Sequence, residues 1–124
     1  MTKELWLDID MPPSVNSLYT NVSKRGRIRT TEYKGWLDAT LPFATLIAAT
    51  NRLKGEVTVD YFFELGTSFR GDICNRIKPV EDLLVKAGFI ADDNHRIIAG
   101  GTFNRTYIEG KKSKVRVRIT QVKV

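Results

Sequence analysis

The chain has 124 residues, enough for one compact domain and too few for a second independent core. Its 20 Lys and Arg against 14 Asp and Glu give a formal net charge of +6, which favours anionic partners, nucleic acid first among them. A single Cys and a single His exclude a disulfide framework and a closed zinc site, so any metal must be a hard cation held by oxygens, Mg²⁺ or Mn²⁺. With no apolar run of about 18 residues and no secretory pattern, the expectation is a soluble, cytoplasmic protein with no membrane partner.

In chain order, Glu4 to Asp10 alternates Leu5, Leu7 and Ile9 with Trp6, Asp8 and Asp10, the period-two pattern of a half-buried strand. Pro12 and Pro13 end it, because a missing N–H cannot continue a ladder. The polar stretch SVNSLYTNVSKRGRIRT packs Lys24, Arg25, Arg27 and Arg29 into six positions. It reads as an exposed basic loop or ribbon, either simply solvated or an arm that contacts phosphates. Thr30 or Thr31 caps a helix running to Thr50, with Tyr33, Trp36, Leu37, Phe43, Leu46 and Ile47 on or near one side. Trp36 is expected in the core, and Pro42 is expected to kink or split the helix.

The segment EVTVDYFFEL is a strong strand with Val57, Val59, Tyr61 and Phe63 on one face. A second helix covers about Ile73 to Ala87, with Asp72 as N-cap and Gly88 as stop. Its core face is Ile73, Ile77, Val80, Leu84 and Ala87; Pro79 is a defect unless the first turn starts later than Asp72. After the connection FIADDN, the runs HRIIAGGTFNRTYI and KVRVRITQVKV read as two closing strands. This order predicts an α+β fold: a small two-layer domain, 1–124, with a mixed sheet and helices packed on one face.

Asp72 and the Asp92/Asp93 pair bracket the second helix from its two ends, with Lys78 one to two turns in. On a straight helix those ends lie more than about 20 Å apart, so one site requires the chain to fold back after Gly88. Carboxylates gathered with a lysine suit metal-assisted phosphodiester hydrolysis. An N-cap, an Asp-Asp-Asn turn and a solvated lysine account for the same residues without chemistry.

The run DICNRIKPVEDLLVKAGFIADDN resembles the signature of the RusA family of Holliday junction resolvases. That signature reads Asp-x-Asp-Asn, a Lys three positions beyond the Asn, Asp-x-Leu and a closing Asp-Asp. The run PPSVNSLY near the start is similar to the family's P-P-S-x-N-x-x-Y stretch. The resemblance implies a homodimer that binds branched DNA, four-way junctions above all, in recombination and repair, and cuts it with Mg²⁺ or Mn²⁺. It implies that Asp72 is the first metal-binding aspartate, Lys78 the catalytic lysine, and Asp93 the later metal-binding aspartate with Asp92 beside it.

Cys74 departs from this pattern, standing where the family has its second aspartate. A thiol is a poor match for Mg²⁺. Three readings follow: an enzyme relying on Asp72, Asp93 and one of Asp92 or Glu81, a weakened enzyme, or a junction-binding protein that no longer cuts. Around the site, Lys24, Arg25, Arg27, Arg29, Arg70, Lys111 and Lys112 are candidate phosphate contacts. Phe69 either wedges at an opened junction or packs under its own loop. A basic RNA-binding module is the remaining alternative, supported by net charge alone.

Overall fold

The computed structural model describes residues 3–51, 53–110 and 112–122. Strand β1 (Glu4–Asp10) is followed by a 3₁₀ turn at Val15–Ser17, a hairpin of β2 (Tyr19–Val22) and β3 (Gly26–Arg29), and helix α1 (Thr31–Thr50). Then come β4 (Val57–Leu65), a 3₁₀ turn at Ile73–Arg76 leading into α2 (Ile77–Ala87), short strands β5 (Ile98–Gly100) and β6 (Phe103–Tyr107), and β7 (Lys114–Gln121). The main sheet is mixed. β7 lies between β1 and β4 and is antiparallel to both, while β5 and β6 run parallel to β4 along its other side.

The alternation of β1, β4 and β7 decides which face is covered. Leu7, Ile9, Val57, Val59, Phe63, Val115, Val117 and Ile119 point to one side and form a single core with Trp36, Leu37, Val80 and Leu84 of the two helices. On the opposite face the register sets β7 cations between groups of its neighbours: Arg118 lies between Trp6 and Asp60, Arg116 between Asp8 and Phe62. Arg116 Nε donates to Asp8 at 2.9 Å, and both guanidiniums lie within 5.4 Å of the Trp6 ring centre. That face is therefore a self-neutralised polar and aromatic layer.

Thr30 is the N-cap of α1: its hydroxyl accepts from the Tyr33 N–H at 3.2 Å and donates to the Ser17 carbonyl at 2.6 Å. The helix is not split at Pro42: α1 runs continuously from Thr31 to Thr50. Pro42 and Asp38 are both exposed, so the Asp38 carbonyl that loses its N–H partner is left to water. The buried stripe also differs from expectation. It is Tyr33, Trp36, Leu37, Thr40, Ala44 and Ala48, whereas Phe43 and Leu46 are 38% and 67% exposed. Trp36 is in the core, its indole N–H donating to the Asp10 carbonyl at 2.9 Å.

The second helix divides into a 3₁₀ turn and an α-helix, so Pro79 is the third α-helical residue, where its absent N–H has no intrahelical partner to lose. Gly88, at φ 92°, closes α2 with a left-handed residue. Asp72 precedes the 3₁₀ turn, but its side chain makes no capping bond.

The expected single strand over 95–108 is two. β5 pairs at Val57 and Thr58, β6 from Tyr61 to Leu65, and the interruption falls at Gly101 and Thr102. Asp60 fills it. Its Oδ1 accepts from the Thr102 N–H at 3.0 Å and the Thr102 hydroxyl at 2.9 Å, and its Oδ2 from Arg118 Nε at 3.0 Å. Asp60 is only 7% exposed, and removing its carboxylate orphans three donors. Asp60→Ala is expected to destabilise the fold by about 2–3 kcal/mol, read as a lower urea midpoint at unchanged m-value.

Candidate active site

Three elements meet at one cavity of about 280 Å³: α2 supplies Lys78, Asp82 and Lys86, the turn after it supplies Asp92 and Asp93, and Tyr19 comes from β2. The turn is built by its own side chains. Asp92 Oδ1 accepts from the Asp93 N–H at 2.8 Å, and Asp92 Oδ2 from the Asn94 amide at 3.1 Å. Asn94 Oδ1 in turn accepts from the Arg96 N–H at 2.9 Å. These local bonds fold the chain back along α2 and present Asp93 to Lys78.

Lys78 Nζ lies 2.5 Å from Asp93 Oδ2 and 3.3 Å from Asp82 Oδ1. The hydrogen bond to Asp93 is the main reason that the Lys78 ammonium is held well above its ordinary value, and the same bond holds the Asp93 carboxyl below its own. Lys78 is therefore a fixed cation at neutral pH, suited to stabilising a developing negative charge and unsuited to accepting a proton.

The structure thus brings together Lys78, Asp92 and Asp93. Asp72 does not line this cavity; it is exposed, and its side chain has no hydrogen-bond or ion-pair partner among the described residues. Cys74 is also exposed, on the 3₁₀ turn. Among the described residues, no three His, Cys, Asp or Glu side chains form a group that could hold a metal ion. Asp72, Asp92 and Asp93 as arranged do not form a shared Mg²⁺ or Mn²⁺ site: Asp72 lies outside the cavity, Asp93 Oδ2 is paired with Lys78, and both oxygens of Asp92 are used within its turn.

Besides the expected residues, Tyr19, Asp82, Val85 and Lys86 line the cavity. Asp82 follows Lys78 by four positions, a helical spacing that makes such a pair readable from sequence. Tyr19 closes the PPSVNSLY run, and only the tertiary fold sets it beside α2. A second link joins the same segments, because Arg76 Nη1 donates to the Pro12 carbonyl at 2.7 Å.

The basic stretch is a ribbon, with Lys24, Arg25, Arg27 and Arg29 all exposed. Lys24 takes a left-handed conformation at its turn, φ 66°. The guanidinium of Arg27 lies 3.9 Å over the ring of Tyr19, so the ribbon's cations begin at the rim of the cavity. The other basic positions are more engaged: Arg70 donates to the Phe69 carbonyl at 2.9 Å, and Lys112 pairs with Asp10 at 3.2 Å. Lys111 lies outside the described residues. Phe69 is half-buried, packed against the core beneath Arg76, which places it under its own loop.

No protein-family model matches the chain, and no curated protein matches it. None of the helices among the described residues is long and apolar enough to cross a membrane.

Proposed function

We propose that the chain is a RusA-like endonuclease acting on branched DNA, four-way junctions in particular. One observation carries this reading: the two separate segments that resemble the family, 12–19 and 72–93, converge on one cavity, where Tyr19 faces Lys78, Asp92 and Asp93. A phosphodiester drawn along the Arg27 and Arg29 ribbon would meet the Lys78 ammonium at the cavity mouth. There the cation would offset charge building on the phosphoryl oxygens during hydrolysis. Homodimerisation belongs to the same reading, since two equivalent sites related by a two-fold axis match two symmetrical cuts.

Mg²⁺ or Mn²⁺ dependence is also part of the proposal, but no step is assigned to the ion, because the carboxylates do not form a group for it. That observation and the exposed Cys74 favour a second reading, a branched-DNA-binding protein on the same scaffold with impaired cutting.

A synthetic four-way junction and a linear duplex, each incubated with Mg²⁺, Mn²⁺ or EDTA, separate the two. The first reading predicts paired cuts confined to the junction and abolished by EDTA. Binding without cuts supports the second, and indifference between junction and duplex overturns both. If a carboxylate missing at the 3₁₀ turn is what limits a metal-dependent reaction, Cys74→Asp raises metal-dependent cutting. Unchanged cutting would mean that this position supplies no ligand.

A further inference from the structure

From Ala39 to Thr50, helix α1 holds no charged residue, where the chain's 27% of charged residues would give about three in twelve. One side of this stretch meets the core through Thr40, Ala44 and Ala48. On the opposite side Ala39, Pro42, Phe43, Leu46, Ala49 and Thr50 are all exposed, at the three- and four-residue spacing of a single stripe. The stripe's hydroxyl turns inward: Thr50 donates to the Leu46 carbonyl at 3.2 Å, as Thr45 beside it donates to the Leu41 carbonyl at 2.8 Å. The stripe therefore presents hydrocarbon to water. A helix that is apolar on both sides is ordinarily covered on both.

Phe43 and Leu46 are its large side chains, and small ones flank them. Beside Phe43 lies a notch of about 210 Å³, lined by Ala39, Thr40 and Phe43 against the end of β1 and the start of β7. One surface thus carries a projecting leucine and, about one turn away, a hollow, which is what a self-complementary contact requires. Two such stripes packed antiparallel, about a two-fold axis between Ala44 and Thr45, set Leu46 against the partner's Phe43 at the edge of the notch. Ala39 then meets the partner's Thr50, small against small. The same packing turns the exposed Asp38 at one end of the stripe towards the partner's Lys54 beyond the other end. Two chains of net charge +6 repel, so a surface free of cations is the one most open to a second copy.

We infer that this stripe of α1 is the contact between two copies of the chain, with Leu46 of each seated against the partner's Phe43. The inference rests on the homodimer of the proposed function for its occupant, and it adds the surface that joins the copies. No α1 residue lines the Lys78 cavity, so the contact leaves both candidate sites open to DNA.

Sedimentation equilibrium on the full chain, without DNA, is the test. The wild type is expected to dimerise, and Leu46→Lys to weaken the dimer by about 30-fold or more, the loss of a central anchor from each copy. Leu46 is 67% exposed, so thermal melting of the variant should be unchanged. Phe43→Glu is expected to weaken the dimer likewise. Mixed together, the two variants should dimerise again: each mixed pair keeps one contact of Phe43 with Leu46 and sets the introduced lysine against the introduced glutamate. Damage to the fold would not be repaired by mixing. A monomeric wild type overturns the inference together with the homodimer. A dimer indifferent to Leu46→Lys, or variants that do not recover on mixing, overturns this surface and leaves a dimer formed elsewhere. Junction cleavage, read in parallel, tests the broader function separately: a dimer broken by Leu46→Lys that neither binds nor cuts junctions keeps the surface and removes the endonuclease reading.

Discussion

Lys78→Met is expected to lower junction cleavage by about 10²–10³-fold, the range for losing one preorganised group that stabilises transition-state charge. Methionine keeps an unbranched apolar stem, one atom shorter, and removes the charge. The ammonium sits between Asp93 and Asp82, so its position is fixed within the protein itself. Stability should change much less. The Lys78 side chain is 51% exposed, so solvent screens the pair, and its loss should cost about 0.5–1 kcal/mol.

The pH dependence of that small stabilising contribution follows from the shifts. Asp93 is depressed in the folded state, so its part is present above the unfolded carboxylate value of about 4 and lost as pH falls through its lower folded value. Lys78 is raised, so its part is present below about 10.4 and lost only as pH rises through its higher folded value. Between roughly pH 5 and 9 the pair is constant. A cleavage rate that changes across that range must therefore titrate on another group. A Lys78→Met variant that still cuts at the wild-type rate would remove Lys78 from the chemistry.

The elements readable from sequence were those whose burial follows a simple period. β1 and β4 alternate because one face meets the helices, and Val57, Val59, Tyr61 and Phe63 are all buried as their spacing implies, with the buried Asp60 breaking the pattern in β4. The first half of the α1 stripe, Tyr33, Trp36 and Leu37, was readable; the second half escaped because it is carried by Thr40, Ala44 and Ala48, residues without a strong apolar signal, while Phe43 and Leu46 lie off it. The strand interruption at Gly101 depends on Asp60, 41 positions earlier. Within the candidate site, Asp92 and Asp93 meet Lys78 through local turn chemistry that Asp-Asp-Asn encodes. Tyr19 lies in a run singled out by resemblance, but its place beside α2 has no local signal, because it arises only where β2 and α2 approach one another.

Gly101→Ala is expected to remove cooperative folding, a loss of at least about 4 kcal/mol. A Cβ at this position would lie 1.8 Å from the Val59 carbonyl oxygen and 2.7 Å from its carbonyl carbon. Both are backbone atoms of the central strand β4, so no side chain can swing away to make room. The backbone at Gly101, φ 155°, is also one that residues bearing a Cβ rarely adopt. Relief would require β5 and β6 to move off β4, breaking the Tyr61 N–H bond to Thr102 and the Asp60 network beside it. Gly100→Ala is the matched control, because a Cβ there meets nothing within 4 Å and its φ is not positive. Urea titrations of the pair should show Gly100→Ala close to wild type and Gly101→Ala without a folded baseline. A folded Gly101→Ala protein would mean that the β5–β6 edge can separate from β4. The cleft between α2 and that edge, lined in part by Tyr61 and Glu81, would then have a movable wall, and the turn carrying Asp93, anchored through Asn94 to Ile97 and Ile98, would move with it.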